Sequence, residues 1–161
     1  MPAERITDNG ILIIDPSQHM LDIVAAMARH LRFRDIRLAT TTDIAAAELG
    51  RRPFRFILID SAAGPTDAAL FVQAVRRSSG ARNQFTPVIM MSSAPDAARI
   101  AEARDAGITE FLRKPFAATH LETRIKSILE APRSNLETET YAGPDRRRRP
   151  PAEMGAAERR R

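Results

Sequence analysis

Five short apolar runs alternate with segments of helical spacing over the first 130 residues, and this alternation constrains the fold most. The run from Phe54 to Asp60 is continuously apolar until its terminal carboxylate, and loop-forming residues follow it. An uninterrupted apolar run of this length is typical of a strand buried on both faces, as in parallel sheets. The predicted strands are 11–15, 36–40, 54–60, 87–91 and 108–112, and the predicted helices are 17–32, 44–49, 67–78, 95–106 and 117–130.

Strand and helix alternate five times, which predicts an α/β domain over residues 9–130. Its five-stranded parallel sheet carries helices on both faces. Right-handed crossovers then bring the carboxyl ends of all five strands to one edge of the sheet. In open α/β sheets that edge is where ligands bind.

Residues suited to phosphoryl chemistry follow four of the predicted strands: Asp15, Asp60, Ser92 and Lys114. Carboxylate oxygens are the ligands that Mg²⁺ prefers, and a carboxylate can also attack a phosphoryl group. A hydroxyl group and an ammonium group can stabilise the phosphoryl oxygens. The sequence therefore predicts a phosphoryl-transfer pocket at the carboxyl edge.

Composition narrows the class of protein further. The 161 residues contain no cysteine, so neither disulfides nor a cysteine metal site is available. Every apolar run in the sequence is far too short to cross a bilayer, and residues 1–5 lack the apolar core of a signal peptide. We expect a soluble cytoplasmic protein with no membrane insertion.

Several motifs resemble the receiver domain of bacterial response regulators, the CheY-like fold. They are ILIID at 11–15, FILID at 56–60, Asp67, PVIMMSSA at 87–94 and FLRKPF at 111–116. The resemblance implies the strand order 2-1-3-4-5, with Asp60 as phosphoacceptor and a histidine kinase or phosphotransfer protein as donor. It also implies that Ser92 is the switch hydroxyl, that Phe111 is the switch aromatic, and that the chain is a signal relay rather than a metabolic enzyme.

The chain departs from the receiver pattern after the first strand. Receivers have two adjacent acids there, whereas this chain has Asp15 followed by Pro16. Asp15 and Asp60 remain as metal ligands, so we expect weak Mg²⁺ binding. Two interpretations stay open: phosphorylation of Asp60 persists with poorer metal binding, or phosphorylation is not the main input. The sequence favours the second.

Residues 131–161 have a different composition and form a basic tail. They hold 8 arginines and 5 acids, which is an excess of 3 positive charges out of the net +5 of the whole chain. They are also rich in Pro, Gly and polar residues. A segment of this kind buries too little apolar surface to fold alone. We predict a tail that is disordered until a ligand binds it.

The motif YAGPDRRRR at 141–149 combines groups that recognise a guanine nucleotide. Arginine pairs bidentately with guanine O6 and N7 and with phosphate, a carboxylate accepts from guanine N–H groups, and tyrosine stacks on a purine. Together they suit cyclic di-GMP. The candidate ligand residues are Tyr141, Asp145, Arg146, Arg147, Arg148, Arg149, Arg159 and Arg160.

The tail resembles that of the Cle-type CheY-like cyclic di-GMP effectors. This resemblance implies action on the flagellar motor, with the motor switch protein as the partner of residues 94–130. Two other interpretations of the tail stay open: a solubilising charge run, and contact with nucleic acid phosphates. Nucleic acid is the weaker of these, because residues 1–130 offer no basic recognition helix.

Overall fold

The computed structural model describes residues 10–146, and over them the predicted parallel sheet is confirmed. All strand pairs of the main sheet are parallel, in the order β2-β1-β3-β4-β5. The elements are β1 (Ile11–Ile14), α1 (Gln18–His30), β2 (Ile36–Ala39), α2 (Thr42–Arg51), β3 (Phe56–Asp60), α3 (Ala68–Arg77), β4 (Val88–Ser92), α4 (Ala97–Ala106), β5 (Glu110–Arg113) and α5 (Ala118–Glu130).

The sheet separates two apolar clusters, as expected for a sheet covered on both faces. Side chains alternate between the faces along each strand. Ile11 and Ile13 therefore pack with α1 and α5, whereas Leu12 and Ile14 pack on the side of α2, α3 and α4. All four are completely buried. This double burial explains why the central strands read as continuous apolar runs.

Helix α2 is longer than the sequence predicts. The sequence predicts it over 44–49, but it extends from Thr42 to Arg51, so Gly50 lies in its last turn. Thr41 begins the helix by accepting a hydrogen bond from the Ile44 amide at 3.1 Å. Satisfying that amide stabilises the first turn.

Residues 131–146 contain ordered strands, so this part of the predicted tail differs from the prediction of disorder without ligand, whereas residues 147–161 lie outside the described residues. Strands β6 (Asn135–Glu137) and β7 (Ala142–Pro144) form an antiparallel pair that contacts α3. We call residues 135–144 the C-terminal hairpin. Five predicted ligand residues lie outside the described residues: Arg147, Arg148, Arg149, Arg159 and Arg160.

The C-terminal hairpin packs on the domain through backbone contacts between two glycines. Gly107 ends α4 with a φ of 107°, and Gly143 in β7 has a φ of 149°. A Cβ atom on Gly107 would lie 2.7 Å from the Ala142 carbonyl oxygen, and one on Gly143 would lie 3.0 Å from the Gly107 Cα. Only glycine fits either position without strain or a clash.

A buried arginine lies beside this contact. Arg76 of α3 is 1% exposed. Its Nε donates to the Gly107 carbonyl at 2.9 Å, and its Nη1 donates to the Gln84 and Thr86 carbonyls at 2.8 Å each. Burial lowers the pKa of Arg76 to about 10, although the electrostatic interaction with Tyr141 raises the pKa by a smaller amount. Arg76 therefore joins α3, the segment before β4 and the turn after α4, at the amino edge of the sheet.

No helix among residues 10–146 is long and apolar enough to cross a membrane.

Candidate functional site

The carboxyl edge of the sheet carries a buried acidic pocket. Asp15 follows β1, Asp60 and Ser92 are the last residues of β3 and β4, and Lys114 follows β5. Asp15, Asp60 and Ser92 are 2%, 6% and 3% exposed. The structure brings the lysine and the two carboxylates into direct contact, because the strands that precede them are parallel and in register.

Lys114 bridges the two carboxylates. Its Nζ lies 2.6 Å from Asp15 Oδ2 and 2.6 Å from Asp60 Oδ1. Burial lowers the pKa of Lys114, but hydrogen bonds and attraction from the two carboxylates outweigh burial, so the pKa lies above its ordinary value. The stabilisation from this charged lysine is therefore complete at neutral pH and is lost only as the pH rises through that raised pKa.

Backbone amides hold the other carboxylate oxygens. The Ser17 amide donates to Asp15 Oδ1 at 2.9 Å, and the Ala62 amide donates to Asp60 Oδ2 at 2.8 Å. All four carboxylate oxygens therefore already accept a hydrogen bond. The arrangement fixes both side chains and leaves one oxygen of Asp60 beside the ammonium group that would stabilise a phosphoryl group.

Ser92 and Phe111 lie close to this pocket on neighbouring strands. The Ser92 hydroxyl accepts weakly from the Ala94 amide at 3.4 Å, and its carbonyl accepts from the Lys114 amide at 2.8 Å. Phe111 is partly buried and packs against the cluster on the side of α2, α3 and α4. In the register of β4 and β5 it lies opposite Met90, two residues before Ser92.

The residues of the pocket fit a weakly held Mg²⁺. Asp15 and Asp60 supply the oxygen ligands that this ion prefers. Pro16 stands where receivers usually have a second acid. It is exposed, and its side chain has no atom that could bind a metal. Among residues 10–146 there is no group of three or more His, Cys, Asp or Glu placed to hold a metal. Lys114 also competes with any metal for both carboxylates.

Replacing Pro16 with aspartate is expected to strengthen Mg²⁺ binding on the order of tenfold. The reason is that an added carboxylate raises the ligand charge of the site. The change in affinity is measured by calorimetric titration with MgCl₂, because the chain has no tryptophan to report it. Pro53→Asp is the matched control, since Pro53 is exposed and precedes β3 at the opposite edge. Equal gains in both variants would show that bulk charge, not a restored ligand, is responsible.

The C-terminal hairpin places Tyr141 and Arg146 against α4. Tyr141 is 8% exposed, and its hydroxyl donates to the Pro144 carbonyl at 2.6 Å. The Arg146 Cζ lies over the tyrosine ring, 4.6 Å from its centroid, and Arg146 Nη1 is 2.5 Å from Asp105 Oδ1. Burial raises the pKa of Tyr141, opposed by the nearby Arg146, Arg76 and Arg133.

Direct stacking of Tyr141 on a purine, as the sequence predicts, does not fit this arrangement. The ring is buried and Arg146 lies over it, so a base would have to displace the guanidinium group. Sequence reasoning also missed Asp105 and Gly107, which hold the hairpin. It missed Arg76 as well, although this residue falls at helical spacing on the buried face of α3 with Ala68 and Val72.

Comparison with known proteins agrees with this fold. The family model for the response regulator receiver domain matches residues 11–126. The chemotaxis protein CheY of Pseudomonas aeruginosa is 31% identical over 121 residues, which are 74% of this chain and 95% of that protein.

Two solved structures show the same fold. The chemotaxis response regulator CheY4 of Vibrio cholerae has a TM-score of 0.68 at 23% identity, over 74% of this chain and 98% of that one. The receiver domain of sensor histidine kinase PA1611 from Pseudomonas aeruginosa has a TM-score of 0.66 at 20% identity, over 73% and 94%. The latter holds a magnesium ion in its active-site cleft. By its match over residues 11–126, this chain belongs to the response regulator receiver domain family.

Proposed function

We propose that this receiver domain is a signalling protein that binds cyclic di-GMP through its arginine-rich C-terminal segment and relays the signal to a protein partner in the cytoplasm. The observation that carries the proposal is the C-terminal hairpin. It ends directly before Asp145 and Arg146, the first two charged residues of the DRRRR motif, and Arg146 pairs with Asp105 of the folded domain. A merely solubilising tail needs no such anchor.

The chemistry of the motif fits the two guanines and two phosphates of this ligand. Arg146 follows the hairpin by two residues, and its side chain is 53% exposed, so it can reach a ligand while it stays paired with Asp105. The sequence supplies three more arginines directly after it. Arginine pairs bidentately with guanine and phosphate, and Asp145 supplies a carboxylate for guanine N–H groups.

A calorimetric titration of the full chain with cyclic di-GMP tests the proposal, with GTP and cyclic GMP as controls. We expect saturable binding of cyclic di-GMP and much weaker binding of both controls, because neither control carries two guanines. Equal binding of all three nucleotides would reduce the tail to a nonspecific polyanion site, and no binding of cyclic di-GMP would refute the proposal.

The flagellar motor switch protein is the proposed partner, by analogy with the relative named a chemotaxis protein. The face formed by α4, β5 and α5 would present the signal. A cleft of about 160 Å³ on this face is lined by Arg104, Arg124, Arg133, Glu110 and Phe111 among others. Arg133 pairs with Glu110 at 3.8 Å, whereas Arg104 and Arg124 suit an acidic partner segment. Capture of the switch protein that does not change when cyclic di-GMP is added would contradict a ligand-dependent relay.

Phosphorylation of Asp60 is the second candidate input, with a histidine kinase or phosphotransfer protein as donor. The contact between Lys114 and Asp60 favours it, because the ammonium group would stabilise an attached phosphoryl group. The weak metal site argues against it as the main input.

Acetyl phosphate is therefore expected to label Asp60 slowly, even with excess Mg²⁺. Intact-protein mass spectrometry follows the label, with Asp60→Asn as the negative control and the exposed Asp22→Asn as the matched one. Rapid stoichiometric labelling that only Asp60→Asn removes would make phosphorylation the main input.

A further inference from the structure

We infer that α4 of the folded domain contributes to the nucleotide site: Asp105 holds Arg146 over Tyr141, so that the outer face of its guanidinium group is a preformed stacking platform for a guanine base. This inference rests on the proposed function and deepens it. It moves the stacking surface from the tyrosine ring to the arginine above it, and it adds a residue outside the tail to the site.

The contacts of Arg146 come from two different elements. Asp105, near the end of α4, binds its Nη1 at 2.5 Å. Tyr141, from the C-terminal hairpin, lies beneath its Cζ with the ring centroid 4.6 Å away. An arginine held from the side by a carboxylate and from below by an aromatic ring loses much of its rotamer freedom. Its side chain is nevertheless 53% exposed, so about half of its surface remains accessible to a ligand.

The base of this platform is rigid. The Tyr141 hydroxyl donates to the Pro144 carbonyl at 2.6 Å, and the Tyr141 amide donates to the Thr138 hydroxyl at 3.0 Å. The close approach of Gly143 to Gly107 fixes the hairpin against α4. The platform is therefore ordered before a ligand arrives, so binding loses little free energy to the ordering of these side chains.

A guanidinium plane stacks on a purine as an aromatic ring does, and it adds electrostatic attraction to the π face. With Arg146 occupied in stacking, the edges of the base remain free for other groups. Asp105 is then a positioning residue, because it acts through Arg146 rather than on the nucleotide.

Calorimetric titration of the full chain with cyclic di-GMP tests this assignment through two variants. Asp105→Asn removes the charge that orients Arg146. The Kd should rise about threefold or more, because an exposed ion pair contributes up to about 1 kcal/mol. Tyr141→Leu removes the support beneath the guanidinium group and should raise the Kd roughly fivefold or more. Asp105→Glu keeps the charge and should bind within about twofold of the parent chain. Tyr141→Phe keeps the ring but loses the hydrogen bond to the Pro144 carbonyl, so its Kd should lie between those of the parent chain and Tyr141→Leu.

Glu102→Gln is the matched control, because Glu102 is an exposed acid on the same helix. It removes the same charge from α4 and should leave the Kd unchanged. A readout independent of the ligand is the side-chain Nε–H signal of Arg146 in the free protein. Asp105→Asn and Tyr141→Leu should both move this signal toward that of a solvated arginine, whereas Glu102→Gln should not.

The outcomes separate this inference from the function on which it rests. If the parent chain binds cyclic di-GMP and Asp105→Asn binds equally well, the platform is overturned while the proposed function stands. Tighter binding by Asp105→Asn also overturns it, because Asp105 would then compete with the ligand for Arg146. If the parent chain binds no cyclic di-GMP, the proposed function fails and the platform fails with it.

Discussion

Replacing Arg76 with methionine is expected to lower the free energy of unfolding by about 3 kcal/mol. Methionine fills the volume of the arginine stem but removes the donors for the Gly107, Gln84 and Thr86 carbonyls. Leaving a buried acceptor unpaired costs about 1–3 kcal/mol, so three acceptors cost several. Removing the buried charge offsets part of this loss. Burial lowers the pKa of Arg76 to about 10, which means that burying the charged group costs on the order of 3 kcal/mol.

Urea denaturation measures the effect, and Arg77→Met is the matched control. Arg77 is the exposed neighbour of Arg76 in α3, so its replacement should change the free energy of unfolding by no more than about 0.5 kcal/mol. A loss for Arg76→Met that is no larger than that of the control would mean that the three carbonyls find other donors. Arg76 would then not be the link between α3 and the turn after α4.

The central sheet could be predicted from the sequence because burial on both faces leaves an uninterrupted apolar run. Ile11 to Ile14 and Phe56 to Ile59 are runs of this kind, and the structure has both strands where the sequence places them. The C-terminal hairpin leaves no such pattern. Its contact with the domain rests on the close approach of Gly107 and Gly143, and a contact between two backbones has no side-chain periodicity.

The sequence predicts which residues form the candidate pocket, but it does not predict the contacts between their side chains. Asp15, Asp60 and Lys114 follow strands whose carboxyl ends must meet at one edge. That Lys114 binds both carboxylates at 2.6 Å depends on side-chain rotamers, which the order of residues does not determine. Arg76 escaped prediction for a related reason: arginine is almost never fully buried, so its place on the apolar face of α3 carried little weight.

Ending the chain at Arg146 is expected to weaken cyclic di-GMP binding by at least about 100-fold without unfolding the domain. The cut removes Arg147, Arg148 and Arg149, and a bidentate arginine contact contributes about 1–3 kcal/mol. Three such losses reach about 3 kcal/mol even at the lower limit, which corresponds to a factor of more than 100. The C-terminal hairpin remains in this variant, so Arg76 stays covered and the free energy of unfolding should change by no more than about 0.5 kcal/mol.

This position for the cut matters, because a chain ending at Pro132 would also lose the hairpin and expose Arg76. Loss of binding in that shorter chain could then follow from a disturbed domain. The matched control is a full-length chain in which residues 147–161 are scrambled, which keeps composition and charge. Calorimetry on the parent, cut and scrambled chains gives three separate results. Equal binding by the cut chain would place the site elsewhere, whereas equal binding by the scrambled chain would show that net charge alone attracts the nucleotide.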